Sequence, residues 1–311
     1  MPHHRESCTS RYVAFLLLMV VCAVPTPAAL NINTDAVQKS VVFLYSSDLT
    51  GKPDDPQKSL GTGFFLRVPL TSDPKPGYIL LVTARHIVDP QWAQCNQSNP
   101  LSIYARLNKS GKTEGTAFVS LPLVQNAQPL WKHPSDGMAD AAVLVVQSPD
   151  TTLRDVDTGT LPISDIPTDD EIKAIGVGDQ IVSAGLLPGF AGSKRNRPFF
   201  KFGFISSTSD ETIETRCVPT APWNIRGWFL AANLVSGNSG SPVYFVPPGG
   251  PGIVFGSAVQ RPVLLGIQSS SLVQADLAVM TQSSFLYEAI QLLHLPDANL
   301  QRGQPSSPQQ K

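Results

Sequence analysis

From Gln38 onward, short apolar runs alternate with polar stretches rich in Pro and Gly. In the first half these runs fall at residues 41–45, 63–68, 78–83, 101–107, 117–124 and 141–147. Their β-branched and aromatic content suits a pleated, half-buried surface, which predicts strands. Residues 148–170 are rich in Asp, Thr and Pro and hold no sustained period, so 151–170 reads as an interdomain linker. A second set of runs follows at residues 181–185, 199–206, 228–235, 242–246, 263–269 and 278–281. About six strands in each half imply an all-β chain of two antiparallel six-stranded β-barrels, one over 30–150 and one over 171–296. The pattern changes at 283–295, where Phe285, Leu286, Ala289, Ile290 and Leu293 recur at three-to-four-residue spacing behind a Ser cap. That predicts a terminal amphipathic helix. The tail 297–311, with Gly303, Pro305 and Pro308 among polar residues, reads as disordered.

Composition supports a packed protein. The 311 residues are 42% hydrophobic and 15% charged, enough to bury a sizeable core, which excludes a fibrous or wholly disordered chain. The N-terminal 29 residues stand apart. Arg5 and Arg11 precede an apolar run over 12–24, and the small residues Ala28 and Ala29 follow, the make-up of a secretory signal peptide. A lipidated Cys22 competes with this reading, but Met19, Val20 and Val21 lack the small residue expected just ahead of such a cysteine. No later run approaches the roughly 20 apolar residues of a membrane span, so the mature protein is expected without one, in the periplasm or the medium.

Loss of the leader removes Arg5, Arg11 and Glu6, leaving 21 basic and 23 acidic residues and a net charge near −2. Such a balance gives no general attraction to nucleic acid or anionic lipid. Cys95 and Cys217 remain in the mature chain, either as one disulfide or as two buried thiols; the sequence leaves both open.

The segment Gly237-Asn238-Ser239-Gly240-Ser241-Pro242 sets a serine in a Gly-bounded turn between apolar runs. A nucleophile needs this setting, because flanking glycines let the backbone fold tightly and aim successive N–H groups at one developing oxyanion. A serine hydroxyl also needs a base, and the mature chain offers three histidines. His86 closes the strand-like run 78–86, so a rigid element would hold its imidazole. His133 lies in a Pro- and Asp-containing loop, and His294 near the end of the terminal helix. The third member should be a carboxylate that orients the imidazole. Asp140, directly ahead of the run 141–146, fits better than Asp136, which sits in a turn before Gly137.

Four blocks, Gly61-Thr62-Gly63-Phe64-Phe65, Thr83-Ala84-Arg85-His86, Asp140-Ala141-Ala142-Val143-Leu144 and Gly237-Asn238-Ser239-Gly240-Ser241-Pro242, occur in an order that resembles bacterial trypsin-like serine peptidases of the chymotrypsin fold. The resemblance covers about residues 35–295. It implies a serine endopeptidase with a His86, Asp140, Ser239 triad, an oxyanion hole from the Gly237 and Ser239 N–H groups, a polypeptide substrate and no cofactor. It also implies that Asn233, six positions before the serine, and Ser269, Ser270 and Ser271 contact substrate. With Asn233 there, an acidic pocket for Arg or Lys is not expected. Asn238 replaces the acid that, in the vertebrate digestive branch, pairs with a newly cut N-terminus. After Leu295 there is no room for the PDZ domains of periplasmic heat-shock proteases, and a monomer is expected.

Two other features draw bland readings. The basic residues Lys194, Arg195, Arg197 and Lys201 read as a solvated loop entering a strand. The scattered His and Cys residues lack metal-ligand spacing. Two rivals to the peptidase reading stand: a catalytically silent trypsin-fold binding protein, and an esterase using the same triad.

Overall fold

The computed structural model describes residues 32–46, 59–75, 77–111, 114–149, 153, 155–187, 189–209, 211–218, 220–233, 237–247, 259, 261–272 and 275–303. The leader at 1–29 and the tail 304–311 lie outside the described residues. In chain order the first half carries α1 (Thr34–Ser40), β1 (Val41–Ser46), β2 (Ser59–Pro69), β3 (Gly77–Thr83), the one-turn helix α2 (Arg85–Val88), β4 (Ser102–Lys109) and β5 (Thr116–Pro122). The short strands β6 (Val124–Gln125), β7 (Gln128–Pro129) and β8 (Trp131–Lys132) lead to β9 (Ala142–Gln147). Then come β10 (Val156–Asp157), β11 (Leu161–Pro162) and α3 (Asp169–Lys173). The second half holds β12 (Gln180–Gly185), β13 (Phe199–Ser207), β14 (Thr212–Val218), β15 (Ala221–Arg226), β16 (Trp228–Ala231), β17 (Pro242–Phe245), β18 (Val263–Leu272), β19 (Leu277–Gln282) and α4 (Ser283–Gln291).

The chain is all-β in two curved layers of the chymotrypsin-like kind, with a helix at the C-terminal end. In the second half, β12-β13-β16-β19-β18-β17 close into a six-stranded barrel filled by Ile181, Ile205, Leu230, Phe245, Leu265 and Met280. In the first half, a nine-stranded sheet curls through β10-β4-β1-β2-β3-β9-β8, with β5 on β4 and β11 running parallel to β2. This half curls without closing among the described residues. Strands β1 and β3 are buried along almost their whole length, so they read as continuous apolar runs and not as alternation. Adjacent Phe64 and Phe65 of β2 point to opposite faces, and both are fully buried. Burying side chains of this size stabilises the fold by about 1.5–3 kcal/mol each.

Residues 151–170 do more than connect. β10 pairs with β4, β11 pairs with β2, and α3 opens with a capping box between Thr168 and Glu171. Helix α4 ends at Gln291, short of the expected 295, and packs on both β9 and β18, so it straddles the two layers. Residues 297–303, assigned from composition to the disordered tail, fold back on the first sheet. The Thr71 N–H donates to the Asp297 carbonyl, and the Asn299 N–H donates to the Pro69 carbonyl. Composition reads only the polarity of such a segment; these backbone bonds give it a place.

Hairpin β14–β15 has no counterpart in the hydrophobic pattern. Its apolar residues Ile213, Trp223 and Ile225 join Ala93, Trp92 and Phe229 in a small separate core beside the main barrel.

Candidate active site

Strand β3 delivers the chain into α2, and His86 occupies the second position of that single turn. Asp140 precedes β9, which pairs with β3 through Thr83 and Ala142, so two neighbouring strands carry the pair. The Asp140 carboxylate is fully buried and holds His86 at two points. Oδ1 accepts from the His86 backbone N–H at 3.0 Å, and Oδ2 accepts from ring Nδ1 at 2.8 Å. A carboxylate acting only as acceptor would take its hydrogen from Nδ1, the tautomer that leaves a lone pair on Nε2. Asp136 is engaged elsewhere, in a 2.6 Å ion pair with Arg226 that is partly open to solvent. His133 Nδ1 lies 2.6 Å from its neighbour's carbonyl at Pro134, and His294 caps no long helix but follows α4 with a φ of 49°.

Ser239 lies in a turn shaped by β2 of the other half. The Thr62 hydroxyl donates to the Gly237 carbonyl at 2.8 Å, and the Thr62 N–H donates to the Ser239 carbonyl at 2.8 Å. The same hydroxyl accepts from the Leu186 N–H at 3.0 Å, while the Thr83 hydroxyl holds the Thr62 carbonyl at 2.8 Å. Gly240 takes a φ of 85°, and a Cβ there would lie 2.0 Å from the Thr62 carbonyl oxygen, so only glycine fits. The N–H groups of Gly237 and Ser239 donate to no described residue. They are unspent donors beside the serine.

The Ser239 hydroxyl donates to the Ser269 carbonyl at 3.3 Å and not to the His86 ring. Both residues nevertheless line one cleft of about 770 Å³ together with Gly237, Ser269, Ser270 and Ser271. Three of the four predicted substrate contacts are therefore in the cleft. Asn233 is exposed and does not line this cleft among the described residues. Strand β18 pairs with β17 only as far as Ile267, then bulges against β19 between Gln268 and Ser270. Its stretch 269–272 thus runs past the cleft without β17 beside it, the edge that an extended peptide would pair with. The Ser270 hydroxyl is tied to Thr215 at 2.6 Å and the Ser269 hydroxyl to Thr281.

Hairpin β14–β15 completes the cleft. Cys217 on β14 forms a disulfide with Cys95, in the loop after α2, across a Cα–Cα distance of 5.0 Å. Trp223 on β15 lies 6.1 Å from the His86 ring and packs edge-on against Trp92, whose indole N–H donates to the Gly137 carbonyl. The Arg85 guanidinium sits 4.5 Å over Trp92 and pairs with Asp89, bracing α2 from the other side. The sequence held a signal for this wall in the lone Cys217 and in Trp223, but neither announces its partner.

The basic residues between β12 and the start of β13 separate. Lys194 pairs with Glu114 at the surface, whereas Lys201 reaches inward to the Asn238 side chain at 3.1 Å. Among the described residues no group of three His, Cys, Asp or Glu is placed to hold a metal, and no helix is long and apolar enough to cross a membrane.

No protein-family model matches the chain, and no curated protein sequence does. Among solved structures it is similar to the Rv3671c protease of M. tuberculosis. The inactive form is 15% identical over 86% of this chain and 96% of that one, with a TM-score of 0.42. The active form is 18% identical over 91% and 90%, with a TM-score of 0.40. An inactive Ser-to-Ala mutant of the same protein is 14% identical over 88% and 96%, with a TM-score of 0.42.

Proposed function

We propose that this chain is an exported serine endopeptidase that cleaves peptide bonds through an acyl-enzyme, with His86, Asp140 and Ser239 as its triad. The observation that carries the reading is the two-point grip of a fully buried Asp140 on His86, in a cleft that also holds Ser239. A carboxylate buried without water is costly unless it is well bonded, and a histidine fixed in one tautomer with Nε2 open is a general base.

Ser239 Oγ swings from the Ser269 carbonyl toward Nε2, which takes its proton as Oγ attacks the scissile carbonyl carbon. The Gly237 and Ser239 N–H groups receive the oxyanion, a stabilisation worth about 3 kcal/mol for a single donor. Collapse breaks the C–N bond as His86 returns the proton to the leaving amine. Water then repeats the sequence on the acyl-ester and releases the carboxylic acid. The backbone of 269–272 holds the substrate as an added strand. The Cys95–Cys217 disulfide supports an oxidising compartment, in line with the leader.

A silent, partner-binding role draws on one observation, the Ser239 hydroxyl bonded to Ser269 and not to His86. Labelling with a fluorophosphonate separates the two. The peptidase reading expects modification at Ser239 that vanishes in Ser239→Ala and His86→Ala. A folded wild-type protein that resists the probe would favour the silent role.

A further inference from the structure

Asn238 stands directly before the nucleophile, and its side chain is sequestered at 1% exposure. Its side-chain nitrogen donates to the Leu186 carbonyl, and the Asn238 backbone carbonyl accepts from the Ser241 N–H at 2.8 Å. Room for this amide exists because residue 185 is glycine: a Cβ there would come within 2.7 Å of Asn238 Nδ2. The remaining amide atom, Oδ1, accepts from the Lys201 ammonium at 3.1 Å. On β13, Phe202 and Phe204 turn outward, so strand alternation points Lys201 to the opposite side, toward the nucleophile turn.

The lysine has an unusual setting. Among the described residues no carboxylate lies within ion-pairing distance of it, and burial alone lowers its pKa. The fold thus partly desolvates this cation and gives it an amide oxygen as partner. The peptide that Asn238 shares with Ser239 carries one of the two unspent N–H donors of the cleft. Whatever fixes the Asn238 side chain fixes the direction of that donor.

We propose that Lys201 is a positioning residue that holds the Asn238–Ser239 peptide in its oxyanion-binding orientation by clamping the Asn238 side chain from behind. The inference rests on the peptidase reading but also makes a claim about the turn itself, and the test reads both.

The experiment compares wild type, Lys201→Met and Lys201→Arg by backbone hydrogen exchange of the peptide spanning 237–241 and by the rate of fluorophosphonate labelling. Methionine keeps the stem and removes the charge and donor; arginine keeps the cation. Lys201→Met is expected to speed exchange of that peptide about 10-fold, the scale of one lost charge-assisted hydrogen bond. It should also slow labelling about 10-fold or more, with kcat on a peptide substrate falling and KM held within about 2-fold. Lys201→Arg is expected to recover at least half of each change. Unchanged exchange in Lys201→Met, faster exchange with unchanged labelling, or an arginine variant no better than methionine would each overturn the proposal. If wild type does not label, exchange still decides: unchanged exchange refutes the clamp, whereas faster exchange with arginine rescue keeps it and only the peptidase reading falls.

Discussion

The disulfide between Cys95 and Cys217 joins the loop that follows the His86 helix to the hairpin that packs on the His86 ring, although 122 residues separate the two cysteines in sequence. One side of the cleft and the wall facing it are thereby a single cross-linked unit. Closing so long a loop restricts the unfolded chain strongly, and removal of a native disulfide typically costs about 2–5 kcal/mol. The Cys95→Ser/Cys217→Ser double variant is expected to lose that much in urea unfolding. It should also expose Trp223 to acrylamide quenching as the hairpin lifts from His86. Retention of full stability would mean that the small core around Trp92 and Trp223 holds the wall unaided.

Asp140 and Asp136 give a matched pair of tests. Asp140→Asn keeps the shape but replaces one acceptor of the His86 grip with a donor, so kcat/KM is expected to fall about 10³–10⁴-fold. Asp136→Asn only weakens a partly exposed pair with Arg226, with an expected cost of up to ~1 kcal/mol and near-normal labelling. Equal losses from the two variants would place the orienting carboxylate elsewhere.

Gly240→Ala puts a methyl group 2.0 Å from the Thr62 carbonyl at a positive φ of 85°. The turn has to shift, so labelling of Ser239 is expected to disappear and stability to fall by about 2 kcal/mol or more. Thermal unfolding and probe labelling together check this.

Asp165 supplies a pH signature away from the cleft. Burial lifts its carboxyl from 3.8 to about 6, against the smaller opposing effect of the hydrogen bond donated by the Tyr244 hydroxyl at 3.0 Å. The folded state then holds this proton more tightly than the unfolded state does. Stability from this group is therefore full below about pH 4, falls as pH rises toward 6, and levels off above it. The change is at most ~3 kcal/mol. Asp165→Asn is expected to flatten that limb of the curve of stability against pH, measured by urea unfolding between pH 4 and 7.

Much of this arrangement can be read from the chain because it rests on local signals. Runs such as 41–45 and 78–83 are apolar throughout and became the buried strands β1 and β3. The candidate Ser239 stands in a glycine-bounded turn, and the candidates His86 and Asp140 stand at the ends of apolar runs that pair as β3 and β9. What stayed hidden depends on partners distant in sequence. Hairpin β14–β15 presents Glu214, Arg216 and Asn224 to solvent and only a few apolar residues inward, so its pattern reads as loop. Lys201 resembles its basic neighbours until β13 turns it toward Asn238.

Thr62 belongs to the first sheet, yet it grips the carbonyls on either side of Asn238. The second barrel on its own therefore carries Ser239 without two of the bonds that shape its turn. A separated C-terminal half would keep the bond from the Gly240 N–H to the Gln268 carbonyl but lose both bonds from Thr62. On the peptidase reading, latency follows from assembly itself: the turn around Ser239 is completed by the docking of two halves, and whatever parts them would disarm it.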